Sequence, residues 1–114
     1  MTVKELAKQY PLTVLSEEGL DNVVEGGCAG DLLSFVMAHA KEHMVWLTIQ
    51  GHINSVAVAS LVGVSAIILT EKSMPTPDML EKAKENAIPI LTTPLTSFNL
   101  AYLLGRDGML GGEG

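Results

Sequence analysis

Basic residues are scarce in this chain of 114 residues. Lysine and arginine together number 7 against 13 acidic residues, the net charge is −6, and Arg106 is the single arginine. A nucleic-acid-binding protein needs a basic patch, and a helix that lies on a membrane surface needs a basic polar face. The sequence therefore predicts neither a nucleic-acid partner nor a membrane partner.

Cysteine and long apolar runs are also in short supply. The single cysteine, Cys28, excludes an internal disulfide and is typical of the reducing cytoplasm, which is the predicted location. The longest apolar run, residues 56–69, is interrupted by Ser60, Gly63 and Ser65 and is too short to span a bilayer. The polar start of the chain does not resemble a signal peptide.

Hydrophobic residues, in contrast, are abundant for a chain of this size. They make up 47% of the sequence and the mean hydropathy is +0.32. A chain of this length forms one domain, here predicted over residues 1–106 and followed by a flexible glycine-rich tail over 107–114. So much apolar surface on so small a domain predicts a homodimer. Phe35, opposite the apolar stripe of its predicted helix, is the predicted interface residue.

The apolar pattern predicts an α/β fold. The second half alternates strands at 44–49, 65–69 and 88–91 with helices at 54–62, 77–86 and 95–105, which predicts parallel strands in a three-layer, mostly parallel sheet. The first half predicts a helix to Tyr10 with a Thr2–Glu5 capping box, a strand at 12–15, an extended piece at 23–25 that ends at Gly26-Gly27, and a helix from the N-cap Asp31 to about Glu42.

Apolar spacing also predicts which face each helix buries. The buried stripe is predicted to be Leu32, Leu33, Val36, Met37 and Ala40 in the helix after Asp31, and Met79, Leu80, Ala83 and Ala87 in the helix at 77–86. The helix at 54–62 is apolar almost all round, which predicts burial on several sides. The last helix carries Phe98, Ala101, Tyr102 and Leu104.

Polar residues gather where the predicted parallel strands end. Ligands of open α/β sheets bind outside the carboxyl ends of the strands. The predicted ligand-binding residues are therefore Gln50, Gly51, His52, Asn54, Thr70, Lys72, Thr92 and Thr93. The alternative is structural: Asn54 caps the following helix, His52 faces water, and threonine is common at strand ends.

The sequence shows little that would carry catalysis or bind a metal. His39 and His43 have a spacing that can hold a metal, but no HExxH or CxxC pattern accompanies them. Gly26-Gly27-Cys28-Ala29-Gly30 lacks the lysine of a phosphate-binding loop, and Cys28 is predicted to be a small buried side chain. A hydrolase using His52 would need Glu71 as its partner. We therefore predict no enzyme activity, no cofactor and no metal.

Several segments together resemble a stand-alone DRTGG-domain protein over about residues 2–105. They are Gly26-Gly27, Asp31–Ser34, Val36–Ala38, Trp46–Gln50, Val56–Leu61, Ile88–Thr93 and Phe98. The resemblance implies a likeness to the N-terminal domain of HPr kinase/phosphorylase and its MurF/HprK N-domain-like fold, without kinase activity. Related domains occur in phosphotransacetylase and between the CBS modules of some pyrophosphatases.

This resemblance implies a regulatory, ligand-sensing domain that is often dimeric and binds a small metabolite or nucleotide. The family's Asp-Arg pair corresponds here to His52-Ile53, and its Thr-Gly-Gly to Thr70-Glu71-Lys72. The arginine that would pair with a phosphate is therefore absent. The alternative function is a protein-interaction adaptor, without a ligand of its own, for a separate kinase or redox enzyme.

Overall fold

The computed structural model describes residues 1–112, which form five strands and five helices. In chain order these are α1 (Val3–Gln9), β1 (Thr13–Ser16), β2 (Gly26–Ala29), α2 (Leu33–His39), β3 (Met44–Thr48), α3 (Ile53–Val62), β4 (Ala66–Leu69), α4 (Pro77–Glu85), β5 (Ile90–Thr92) and α5 (Ser97–Arg106). The predicted capping box is present: the Thr2 hydroxyl accepts from the Glu5 amide, and the Glu5 carboxylate accepts from the Thr2 amide.

The five strands form one sheet in the order β1-β5-β4-β3-β2. Strands β2 to β5 are parallel, whereas β1 pairs with β5 in the antiparallel direction. Because each parallel strand lies next to the one that follows it in the chain, right-handed crossovers put α2, α3 and α4 on the same face of the sheet.

Side chains of the central strands alternate between two apolar clusters, one on each face of the sheet. Trp46, Ile67 and Ile90 pack with residues of α2, α3 and α4. Val45, Ile68 and Leu91 pack with residues of α1 and α5. The predicted three-layer α/β fold with a mostly parallel sheet is therefore confirmed.

The region before β3 differs most from the sequence prediction. The extended piece predicted at 23–25 is displaced, since β2 begins at Gly26 and continues through the glycine pair. The helix predicted from Asp31 to Glu42 spans only Leu33–His39, and its N-cap residue is Leu32 without a side-chain hydrogen bond. The chain leaves the helix early because residues 40–43 turn back into β3, with His43 at a positive φ of 64°.

The stripe predicted for α2 is confirmed at Leu33, Val36 and Ala40, which pack against the core, but is wrong at two positions. Val36 is buried, but Leu32 is 67% and Met37 46% exposed. The reason is that α2 lies over β2, the strand at the edge of the sheet. Only one side of this short helix therefore contacts the core.

Two further helices bury less than predicted. Helix α3 buries Val56, Val58 and Ala59, yet Leu61 on its outer side is 72% exposed, because α2 and α4 flank the helix without covering it. Ala87, predicted in the buried stripe of α4, lies beyond the end of that helix at a φ of 53° and is exposed.

The segment after α5 lies along the outer edge of β2. The amide of Gly27 donates to the carbonyl oxygen of Leu110 at 3.1 Å. A Cβ atom at Gly26 would lie 2.7 Å from the same oxygen, so this close approach depends on glycine. The predicted tail over 107–114 also includes residues 113–114, which lie outside the described residues.

Across residues 1–112, no helix is long and apolar enough to cross a membrane.

Candidate functional site

The carboxyl ends of β3, β4 and β5 lie side by side and form a common rim. Thr48, Leu69 and Thr92 are in register across these three strands. The hydrogen bonds continue one residue further, because the Thr70 amide donates to the Thr48 carbonyl and the Thr93 amide to the Leu69 carbonyl, each at 3.0 Å. Residues that follow these strands are thus brought together at one end of the sheet.

Asp31 organises the β3 side of the rim, a role that sequence reasoning missed. Its Oδ1 accepts hydrogen bonds from the Thr48 hydroxyl and from the amide of Ile49, both at 2.9 Å. The side-chain amide of Gln50 donates to the Asp31 carbonyl at 3.0 Å. Asp31 therefore ties the end of β2 to the end of β3 and fixes the Gln50 side chain, rather than capping α2.

The turn from β3 into α3 places three of the predicted residues. Gly51 is buried, its carbonyl accepts from the Thr76 amide at 3.0 Å, and the space beside its α-carbon is filled by the Met74–Pro75 backbone. His52 is the N-cap residue of α3 and Asn54 lies in its first turn, and both side chains are exposed. The structure thus contradicts the alternative in which Asn54 caps this helix.

The threonines of the rim differ in how far their hydroxyls are already engaged. Thr70 is fully buried, and its hydroxyl lies 2.5 Å from the hydroxyl of Ser97 at the start of α5. Thr93 is 2% exposed and its hydroxyl accepts from the Leu95 amide at 3.2 Å. Thr92, at the end of β5, is half-buried. Thr70 and Thr93 therefore shape the rim through contacts within the chain.

The loop that follows Thr70 has an unusual backbone. Glu71 and Lys72 have consecutive positive φ values of 58° and 63°, a region that non-glycine residues rarely adopt. Their amides donate to the carbonyls of Leu95 and Thr93. These bonds hold the strained pair against the β5–α5 connection and leave both side chains exposed. Lys72 thereby brings an ammonium group to the rim.

The residues considered for metal binding or nucleophilic chemistry lie elsewhere. His43 follows α2 rather than extending it, so His39 and His43 do not share a helix face as predicted. No group of three or more His, Cys, Asp or Glu side chains within residues 1–112 is arranged to hold a metal ion. Burial raises the pKa of the Cys28 thiol to about 11, which disfavours the reactive thiolate.

The exposed groups of the rim are thus the His52 imidazole, the Asn54 amide, the Lys72 ammonium and the Glu71 carboxylate. These groups can bind polar groups, and the ammonium can also bind an anion. A family model described as "DRTGG domain" matches residues 34–106. The chain belongs to the DRTGG-domain family. The matched residues include the rim from Gln50 to Thr93, α5 and all of α2 except Leu33, whereas Asp31 lies before the matched region. No curated protein matches this chain.

A solved structure shows the same fold. It is the crystal structure of the CBS and DRTGG domains of the regulatory region of Clostridium perfringens pyrophosphatase, complexed with the activator diadenosine tetraphosphate. The two chains share 16% sequence identity with a TM-score of 0.62, and the match covers 90% of this chain. It covers 47% of the other chain, so this DRTGG-domain protein spans about half of the structure it matches.

Proposed function

We propose that this protein is a non-enzymatic regulatory domain that binds a small metabolite or nucleotide at the carboxyl ends of β3, β4 and β5. The observation that carries the proposal is the rim itself. It presents the exposed side chains of His52, Asn54 and Lys72 beside the half-buried Gln50 and Thr92. In parallel sheets this is the position at which ligands bind.

The chemistry of the rim suits a ligand with polar or anionic groups. Lys72 supplies a positive charge, and the first amides of α3 point toward the same end of the sheet. The C. perfringens regulatory region, which contains a DRTGG domain, binds a nucleotide activator. Because the single arginine lies at the far end of α5, we expect a phosphate to be bound by Lys72 and backbone amides.

Further parts of the proposal concern assembly and location. A homodimer would cover apolar side chains that the single chain leaves exposed. Phe35, the interface residue predicted from the sequence, is one of two candidate contact sites; the residue is 55% exposed, and its ring stacks on His39 at a centroid distance of 4.0 Å. A cytoplasmic location and the likeness to the N-terminal domain of HPr kinase/phosphorylase also stay predictions.

A thermal-shift panel of adenine nucleotides, including diadenosine tetraphosphate, tests the proposed ligand class. A ligand present at a hundred times its dissociation constant stabilises the folded state by about 2.7 kcal/mol, which raises the melting temperature measurably. We expect at least one nucleotide to do so. We also expect the double variant His52→Ala/Lys72→Ala to lose the response, because it removes two exposed polar groups of the rim.

The matched control is His39→Ala/Lys84→Ala, which removes the same two residue types from α2 and α4. This control should respond to the nucleotide like the unmodified protein. An equal loss in both double variants would contradict a site at the rim. No response to any nucleotide or small metabolite, together with stable capture of one partner enzyme, would favour the adaptor function instead.

A further inference from the structure

Helix α5 carries an apolar stripe on the side that faces away from the sheet. Leu100 and Leu104 are buried against the core, whereas Phe98 is 83% and Tyr102 63% exposed. Ala101 and Gly105 are also exposed. Positions 98, 101, 102 and 105 follow the spacing of one helix face, so these four residues form a continuous outer stripe.

A cleft adjoins the stripe on the side of its two small residues. Its volume is about 220 Å³, and it is lined by Ala101, Leu104 and Gly105 of α5, by β2 and by residues 109–111. An apolar cavity of ~150 Å³ holds a benzene molecule, so this cleft has room for one aromatic ring.

From this geometry we infer that two copies of the chain associate through α5, with the helices antiparallel across a two-fold axis near residues 101 and 102. The stripe is complementary to itself in that arrangement. Each large side chain meets a small one: Phe98 lies opposite Gly105 of the second copy, and Tyr102 opposite Ala101. Since Gly105 lines the cleft, the Phe98 ring of the second copy enters it.

The exposed area is consistent with a dimer of ordinary size. The exposed parts of Phe98, Tyr102 and Leu110 amount to roughly 400 Å², taking about 200 Å² for each large side chain. A standard interface buries ~800 Å² on each partner. These three side chains therefore supply about half of the area, before the remaining cleft walls are counted.

A second copy is favoured over an unrelated partner because the large-to-small pattern is satisfied by the same stripe turned through 180°. This inference rests on the homodimer proposed above but not on the proposed ligand. It assigns the interface to the face of the sheet opposite to α2, so it predicts a different result from an interface at Phe35.

Sedimentation of the full chain over a concentration series, with the matched variants Phe98→Asp and Phe35→Asp, tests the inference. We expect Phe98→Asp to lower the association constant by at least about thirtyfold, as for an aromatic side chain that fills a pocket of the partner, and Phe35→Asp to leave it unchanged. The far-UV circular dichroism of both should match the unmodified protein, because both side chains are more than half exposed.

Gly105→Leu gives an independent test, in which the stability of the folded monomer should increase while the association constant decreases. Apart from its two chain neighbours and the backbone of its own helix, no atom of the described chain lies within 4 Å of a Cβ added at Gly105. Replacing a helical glycine should therefore stabilise the monomer while the new side chain blocks the cleft, so we expect a higher melting temperature and at least tenfold weaker association.

Three results would overturn the inference. They are unchanged association in both α5 variants, dissociation by Phe35→Asp alone, and an unmodified protein that stays monomeric at millimolar concentration. The first two leave the proposed homodimer intact, whereas the third removes it as well. A nucleotide response in the thermal-shift panel is separate from all three.

Discussion

Ser16 is a buried polar residue without a visible reason for its burial. Its side chain lies at the end of β1 with 1% exposure, and within the described part of the chain its hydroxyl has no hydrogen-bond partner. An unsatisfied buried polar group costs about 1–3 kcal/mol. We therefore expect Ser16→Ala to raise the free energy of unfolding by about 1 kcal/mol, as measured by urea denaturation.

The matched control for this prediction is Ser55→Ala. Ser55 is equally buried, but its hydroxyl donates to the Gln50 carbonyl at 2.7 Å. Losing that bond should lower the free energy of unfolding by about 1 kcal/mol. A similar loss of stability in both variants would show that the Ser16 hydroxyl does have a partner in solution.

The residues of the rim show how far single positions can be predicted. The placement of Gln50, Thr70 and Thr92 at one end of the sheet follows from the parallel direction of the strands, which the alternating pattern predicts. The hydrogen bonds that individual hydroxyl groups make do not follow from the direction of the strands. The bonds of Thr70 with Ser97, and of Asp31 with Thr48, join residues 17 to 27 positions apart, so local spacing carries no signal for them.

At the scale of elements, α4 and α5 both have a threonine as N-cap residue but are capped differently. The Thr96 hydroxyl accepts a hydrogen bond from the Asn99 amide at 3.0 Å and caps α5. Thr76 occupies the same position in α4, but its hydroxyl donates to Asp78 instead. We therefore expect Thr96→Ala to lower the free energy of unfolding by about 1 kcal/mol, measured with urea.

Thr76→Ala is the control for that prediction, and its effect should be at most about 0.5 kcal/mol because no cap bond is lost. Equal effects of the two substitutions would mean that the α5 cap contributes nothing beyond the exposed hydroxyl. The comparison also tests whether α5 is held in place by its cap or mainly by the burial of Leu100 and Leu104.

The misplacement of β2 has a physical cause in the composition of the strand. Strand β2 contains two glycines, a cysteine and an alanine, so it lacks the branched and aromatic side chains that mark a strand. Its position is fixed by pairing with β3 and by contact with Leu110, both distant in sequence. Strands β3 and β4, which consist almost wholly of apolar residues, are predicted within one residue.

For the whole molecule, the alternation of strand and helix was enough to predict the parallel sheet and its three layers. It did not predict that β1 would pair with β5 in the antiparallel direction, because a short first strand can join either edge of such a sheet. Nor did it predict that the C-terminal residues of the described chain would close the other edge.

We expect the segment along β2 to limit the addition of further strands at this edge, because it already pairs with the Gly27 amide. An uncovered strand edge is a template on which further molecules can add strands and form fibres. Gly26→Ala would put a methyl group 2.7 Å from the Leu110 carbonyl oxygen and so push the covering segment away. We expect this variant to form thioflavin-positive aggregates during storage, measured by fluorescence and light scattering.

Gly30→Ala serves as the control, since its methyl group would meet the Val36 side chain at 3.2 Å rather than the covering segment. A Gly26→Ala variant that stays soluble would show that an uncovered β2 edge does not cause aggregation. If the variant does aggregate, the contact of the Leu110 carbonyl oxygen with β2 is needed to keep the protein in solution. A shortened form of this domain would then have to retain Leu110.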